Sequence, residues 1–464
     1  MQRAAPLAEA PPAEQPAAAP PPPAEPSPPT PPTPEAAAAV RGMRVLAVEP
    51  DGLTIAFWGP HSGGPARPTV AQLSAVAGAA FATEGDTDYA ASGEAMFRFG
   101  DEEYVSWLVG GPCDGLIAVG PDGGWRGSVL FPQRGMATRP AGGGAPEARR
   151  GVLITALSVP PGARRRAVAF ALARALMTRM LPLFPEYLAA AHFDLGGGGE
   201  RVVRNALSRG GVAAPGAGAR GAAAPLVPGP GPHAIWAAAS SKSRIWMAIT
   251  DARTALKYDR IPGGRLGAAA AAAALATPLR LLIECAPPGA GGPALALVDE
   301  PHAPEPDPRP GGACADLRCR HTRRAYSTQA AGGSGPHVAG CYRATFEAEP
   351  GAPWVEVWYL LLGLGRRGLP DTKVGHIQFV VRGPGAADRH ASAAMRAAAH
   401  ALAAAHGTVA TLAHDGGGAV PAACLLRAGF MPASRSTFAI FFGSAGPGGT
   451  PPVDPTGPVE LELT

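Results

Sequence analysis

Apolar and polar residues alternate over 44–58, ending in Phe57-Trp58-Gly59-Pro60, and this period of two predicts a single strand entering a sheet. Over 69–82 the period changes, with Val70, Leu73, Val76 and Ala80 recurring at helical spacing. An acidic, polar stretch over 84–94 reads as a loop. Met96-Phe97-Arg98-Phe99 follows and leads into a short helix carrying Tyr104, Val105, Trp107 and Leu108. Strands are expected at 115–119 and 125–131, separated by the turn Pro121-Asp122-Gly123-Gly124.

The run 151–159 (GVLITALSV) is apolar throughout, as in a strand buried on both faces. Pro160-Pro161-Gly162 breaks it, and residues 164–180 then repeat helically, with Val168, Leu172, Ala175 and Leu176 on one face. A buried strand, a tight turn with three arginines and a helix together resemble the core unit of the GNAT-type acyltransferase fold. The second half keeps this order of elements without recognisable sequence similarity. It has expected strands at 244–250, 279–284, 354–362 and 374–381, a helix at 391–406, a strand at 409–412, a helix at 419–428 and a closing strand at 437–442. The expected fold class is therefore α/β with mixed sheets: two tandem GNAT-like lobes forming a pseudo-twofold, saddle-shaped sheet.

Composition divides the chain. Residues 1–39 are mostly Ala, Pro and Glu and hold too little apolar surface to offset chain entropy, so a disordered arm is expected. The remaining 425 residues suit an N-terminal lobe (40–208), a Gly/Ala/Pro linker (209–233) and a C-terminal lobe (234–464). Of the 40 basic residues only three are lysine (Lys242, Lys257, Lys373), and the formal charge is +4. The arginines are scattered, without a basic stripe or interleaved aromatics, so nucleic acid is not an expected partner. The first 39 residues lack an apolar core segment, and the longest apolar run, 267–277, is too short to span a bilayer. These features predict a soluble, cytoplasmic protein, expected as a monomer. Six cysteines make no disulfide framework. Cys314, Cys319, His337 and Cys341 have spacing that could hold tetrahedral zinc, or they are unrelated thiols and a histidine in a Gly-rich loop. His376, His390, His400, His406 and His414 form no recognisable site and read as surface or core histidines; no metal site is expected among them.

The chemistry begins at Arg164-Arg165-Arg166. A helix N-terminus presents free N–H groups and a positive dipole end, and flanking arginines add charge-assisted hydrogen bonds, a combination suited to a diphosphate. The small residues Ala167 and Ala169 would let phosphate approach the backbone. Three arginines at a helix start are otherwise a solvated face. Several segments resemble the protein N-myristoyltransferases. Tyr89 precedes Met96-Phe97-Arg98-Phe99 by six residues, like that family's Y-x6-M-F-R-F; 154–170 is similar to its strand, turn and helix; Phe57-Trp58 resembles its aromatic pair; 425–442 and the closing 459–464 are similar to its last segments.

This resemblance implies direct transfer from acyl-CoA, a co-substrate with no tightly bound cofactor, to the α-amine of an N-terminal glycine of client proteins. It implies an oxyanion hole at the amides of Ala156 and Leu157. It places Phe57, Trp58, Tyr89, Leu157, Val159, Arg164, Arg165, Arg166, Ala167, Val168, Ala169 and Phe170 on the acyl-CoA side, and Glu94, Phe97, Phe99, Tyr187, Leu188 and Arg204 on the peptide side. The base would be the terminal carboxylate of Thr464. Val459, Leu461 and Leu463 alternate with Glu460 and Glu462, a strand period that a frayed tail has no reason to keep. Leu188 stands where the family has threonine, Arg204 where it has histidine, and Ala433-Ser434-Arg435 where it has Gly-Asp-Gly. These departures fall on the acceptor side. Two alternatives therefore stand beside the first reading: an N-acyltransferase with another acceptor, or a catalytically weak acyl-CoA- or peptide-binding protein.

Overall fold

The structure is a computed structural model describing residues 31–84, 87–88, 95–138, 147–164, 167–181, 188–194, 235–239, 243–258, 273, 284–289, 291–299, 301–302, 315–316, 338–346, 351–415, 420–444 and 459–460. The first lobe opens with helix α1 (Pro34–Ala39), then strands β1 (Arg44–Val48) and β2 (Thr54–Trp58), helix α2 (Val70–Phe81), the small hairpin β3 (Thr83–Glu84) and β4 (Thr87–Asp88), β5 (Met96–Phe97) and α3 (Glu102–Val109). A meander of β6 (Cys113–Val119), β7 (Trp125–Thr138) and β8 (Glu147–Ser158) follows, then α4 (Pro161–Arg164), α5 (Val168–Ala175) and β9 (Leu188–Asp194).

The second lobe contains β10 (Ile235–Ala239), β11 (Ser243–Ile249), α6 (Ala252–Lys257), β12 (Ala294–Leu297), β13 (Ala315–Asp316), β14 (Ala339–Thr345), β15 (Trp354–Gly365), β16 (Thr372–Arg382), α7 (Asp388–His406), β17 (Thr408–His414), α8 (Ala422–Arg427), β18 (Met431–Ser444) and β19 (Val459–Glu460).

Each lobe runs an antiparallel meander (β6-β7-β8, then β14-β15-β16) and crosses over through helix to a parallel partner, β8 to β9 and β16 to β17. β18 joins the two lobes. Its first half pairs with β11, and its second half lies between β9 of the first lobe and β10. The tandem GNAT-like α/β architecture expected from the order of elements is the one observed.

Four apolar cores lie among the described residues, and three of them frame the two lobes. One face of the first lobe packs on α5 through Val152, Val168 and Leu172, and one face of the second packs on α7 through Ala394, Met395 and Leu402. The third core lies between the lobes. It joins Trp58, Leu108 and Ile117 to Trp358, Leu360 and Phe379, with the Trp358 and Phe379 rings edge-on at 5.7 Å. No helix among the described residues is long and apolar enough to cross a membrane.

Several expectations change in detail. The arm does not extend to residue 39: Thr33 caps α1, its hydroxyl donates to the Pro121 carbonyl at 2.7 Å, and Ala36 and Val40 are buried. The single strand expected over 44–58 is a hairpin. Pro50-Asp51-Gly52 supplies the turn, with Gly52 at φ +82, and β1 pairs back on β2. The helix expected over 164–180 is interrupted, because Ala167 adopts φ +54 and restarts it as α5. Its end, residues 176–180, widens into a π turn, which lets Leu176, Met177 and Met180 all reach the core. The linker 209–233 and most of the strand expected at 279–284 lie outside the described residues, although Glu284 bridges to Ile249.

Candidate active site

The two non-glycine residues described with positive φ are Ala156 (φ +50) and Ala167 (φ +54), and both lie in the strand-turn-helix unit. Left-handed backbone costs an L-residue on the order of 1–2 kcal/mol, so it persists only where the surroundings impose it. At Ala156 the cause is a bulge. Leu130 pairs with Thr155 and Ser128 with Ser158, so Val129 alone faces both Ala156 and Leu157. On the other side β8 pairs with β9 only from Gly151↔Leu188 to Ile154↔Ala191, after which the strands part. The bulge therefore falls at the mouth of a wedge between two parallel strands. The Ser158 hydroxyl donates to the Ala156 carbonyl at 2.9 Å, which fixes that peptide.

The turn beyond β8 brings Arg164 back toward the strand end. Its Nε donates to the Val159 carbonyl at 3.2 Å and its second nitrogen to the Ala80 carbonyl at 2.7 Å, tying α4 to the end of α2. An arginine expected on a diphosphate thus spends two donors on backbone. Replacing it with alanine should cost about 2 kcal/mol, since charge-assisted bonds to partly buried carbonyls are lost. A urea melt of Arg164→Ala with an unchanged midpoint would argue against this structural role. Val159 and Val168 belong to the helix-side core, Ala169 and Phe170 pack partly buried against it, and Ala167 is exposed. Arg165 and Arg166 lie outside the described residues.

Phe57 and Trp58, expected beside acyl-CoA, are both fully buried in β2 between β1 and β6. Phe57 packs in the first-lobe core and Trp58 in the core between the lobes. The chain then turns at Gly59 (φ +116). There the buried Asp114 accepts from the His61 amide at 3.1 Å and lies 2.8 Å from its Nδ1, while Gln133 donates to the same carboxylate at 3.0 Å.

On the acceptor side, Phe97 and Phe99 pack in the same inter-lobe cluster as Ala156. β5 holds them there by pairing with β15 of the second lobe (Phe97↔Leu364), and the Arg98 amide donates to the Gly363 carbonyl at 2.9 Å. Arg98 also pairs with Asp371 at 2.9 Å. The rings continue from Phe81 through Phe99 and Tyr104 to Trp107 in steps of 5.3–5.9 Å. Ala156, expected at the oxyanion hole, and Phe97 and Phe99, expected on the peptide side, thus fall in one apolar cluster.

Tyr89, Glu94, Tyr187, Arg204 and Thr464 lie outside the described residues, and Leu188 is described only as the first residue of β9. Of the suggested zinc ligands, Cys341 is buried in β14 and the other three lie outside the described residues. Among the described residues no group of three His, Cys, Asp or Glu could hold a metal ion. The closing strand is represented by β19, which pairs parallel with β13. The bulge itself was readable from the sequence only by resemblance, because an apolar run carries no mark of an inserted residue.

No family model matches the chain, and no curated protein matches it. Solved structures do. N-myristoyltransferase of Saccharomyces cerevisiae with bound myristoyl-CoA superposes with a TM-score of 0.53 at 10% identity, covering 91% of this chain and 91% of that one. A second structure of that yeast enzyme with myristoyl-CoA gives 0.54 at 11% identity, covering 84% of this chain and 79% of the other. The fold is similar to that of N-myristoyltransferase. At such identities the likeness establishes the fold alone. A tandem GNAT protein from the clavulanic acid pathway also matches, with a TM-score of 0.37 at 13% identity.

Proposed function

We propose that the protein is an N-acyltransferase that moves a long acyl group, myristoyl in the leading reading, from acyl-CoA to the α-amine of an N-terminal glycine. The observation that carries this reading is the bulge at Ala156 and Leu157, which opens where β8 and β9 part and lies one turn ahead of the α4–α5 helix start. Backbone donors fixed there would meet the oxyanion that forms when the thioester carbonyl is attacked, each worth about 3 kcal/mol.

The transfer is direct. The acceptor ammonium gives one proton to a base, for which the terminal carboxylate of Thr464 is the proposed group. The amine then attacks the thioester carbon, the C–N bond forms and the C–S bond breaks. The second nitrogen proton goes to the departing thiolate, leaving amide and free CoA. The donors are main-chain groups, so Ala156 can supply one as long as its side chain is compatible with the positive-φ backbone of the bulge.

The test is incubation with myristoyl-CoA and a glycine-initiated peptide, followed by mass spectrometry. An adduct heavier by one myristoyl group supports the reading. Product from acetyl-CoA alone points to a different acyl substrate, and acyl-CoA binding without product to any amine would overturn enzymatic transfer. Truncation of Thr464 is expected to lower turnover at least tenfold with acyl-CoA affinity retained, and unchanged turnover would remove the terminal carboxylate from the mechanism.

A further inference from the structure

The second lobe repeats the wedge of the first. β16 pairs with β17 as far as His376↔Leu412 and then leaves it. Two residues on, an extra residue bulges β16: Tyr359 pairs with Ile377 and Trp358 with Phe379, so Gln378 is the inserted residue in this register. In the first lobe the last parallel pair, Ile154↔Ala191, likewise stands two residues before the bulge. A histidine therefore occupies the mouth of the second wedge.

The registers show which face it occupies. His376 stands opposite Leu360 on one side and Leu412 on the other. Leu360 belongs to the inter-lobe cluster against which Phe97, Phe99 and Ala156 pack, and Leu412 to the adjoining cluster that holds Leu364 and has Phe97 packed against it. The imidazole thus lies on the face that looks across to the first lobe's bulge. It is 6% exposed, its Nε2 has no hydrogen-bond partner among the described residues, and the His414 ring is 5.2 Å away. A buried nitrogen left unmatched destabilises a fold, and an apolar residue would remove that cost. Burial pulls the imidazole down to about 4, so the ring is neutral at physiological pH. In the Nδ1–H tautomer, Nε2 offers a lone pair.

We infer that His376 is the acceptor-binding residue whose Nε2 takes a hydrogen bond from the incoming primary amine and orients it toward the thioester held at Ala156. This rests on the acyl-transfer reading above and adds the group that recognises the nucleophile. No proton is transferred to His376: so weak a base would not deprotonate an ammonium, and its part is to hold the amine once neutral.

His376→Leu separates this role from a packing role, because the two predict opposite signs. The expected result is a higher melting temperature, acyl-CoA affinity unchanged, and a KM for the peptide amine raised by about tenfold, with His376→Gln recovering part of the loss through its amide oxygen. A lower melting temperature with an unchanged KM would overturn the proposal. A second measurement keeps it independent of transfer itself. Protein labelled with 15N-histidine is saturated with a thioether analogue of myristoyl-CoA and titrated with a glycine-initiated peptide, with ethanolamine and with the N-acetylated peptide. The His376 resonance, identified by its loss in the leucine variant, should move with the free amines and not with the acetylated control. A resonance that no amine moves rejects the assignment even if the protein transfers acyl groups. A resonance that moves while no product forms leaves amine recognition standing and places the failure in transfer.

Discussion

Ala156→Val should lower turnover at least a hundredfold while leaving acyl-CoA affinity within about threefold, whereas Ala156→Gly should stay close to the parent in both. Ala156 sits at φ +50 in a bulge where Val129 faces two residues. Glycine enters that conformation without steric cost, at some loss of unfolded-chain entropy, so stability should change by no more than about 1 kcal/mol. A β-branched residue is far less tolerant of positive φ. Its two added methyls would also enter the inter-lobe packing around Leu130, Phe97 and Leu360, where overfilling costs about 1–3 kcal/mol. The strand relieves both by straightening, and the amides at 156 and 157 then no longer meet the carbonyl oxygen together. Steady-state kinetics beside calorimetric acyl-CoA titration reads the split. If the valine variant turns over like the parent, the bulge is a packing irregularity and the oxyanion proposal falls.

The architecture was legible because it is written in periodicity. The apolar run 151–159, the strand expected at 374–381 and the helix expected at 391–406 each appear as the element expected, and their order alone indicated two similar lobes. What escaped was information that periodicity does not carry. A strand and a hairpin share the period of two, so 44–58 looked continuous although Asp51-Gly52 could have marked the turn. Full burial of Phe57 and Trp58 depends on β1 and β6 flanking β2, which is a long-range fact. The role of Arg164 depends on the carbonyls of Val159 and Ala80, the latter far away in sequence. His376 read as one of several surface or core histidines. Its lack of a partner among the described residues and its place at the wedge become visible only once β15, β16 and β17 are in register.

The largest stability effect is expected at a buried ion pair between β14 and β15. Glu356 of β15 is fully buried and stands directly opposite Arg343 of β14. Its carboxylate accepts from Arg343 at 2.7 and 3.0 Å and from the His302 amide at 2.7 Å, with His302 Nδ1 at 2.9 Å. The Arg343 guanidinium also lies 5.4 Å from the centre of the Trp354 ring. Removing one partner of a buried ion pair costs 3–5 kcal/mol, because the remaining charge keeps its desolvation penalty. Arg343 is partly exposed and His302 would still hold the carboxylate, so Arg343→Ala should fall at the lower end, about 3 kcal/mol. Glu356→Leu should cost less than Arg343→Ala. The freed arginine can turn its head to water, and the leucine fills the site with apolar atoms. The double variant Arg343→Met with Glu356→Leu should approach the parent, since it strands no charge at all. Urea unfolding of the three variants gives that order directly. If Glu356→Leu proves the most damaging, then the carboxylate matters for its bonds to the His302 segment, and the guanidinium is only one of its partners.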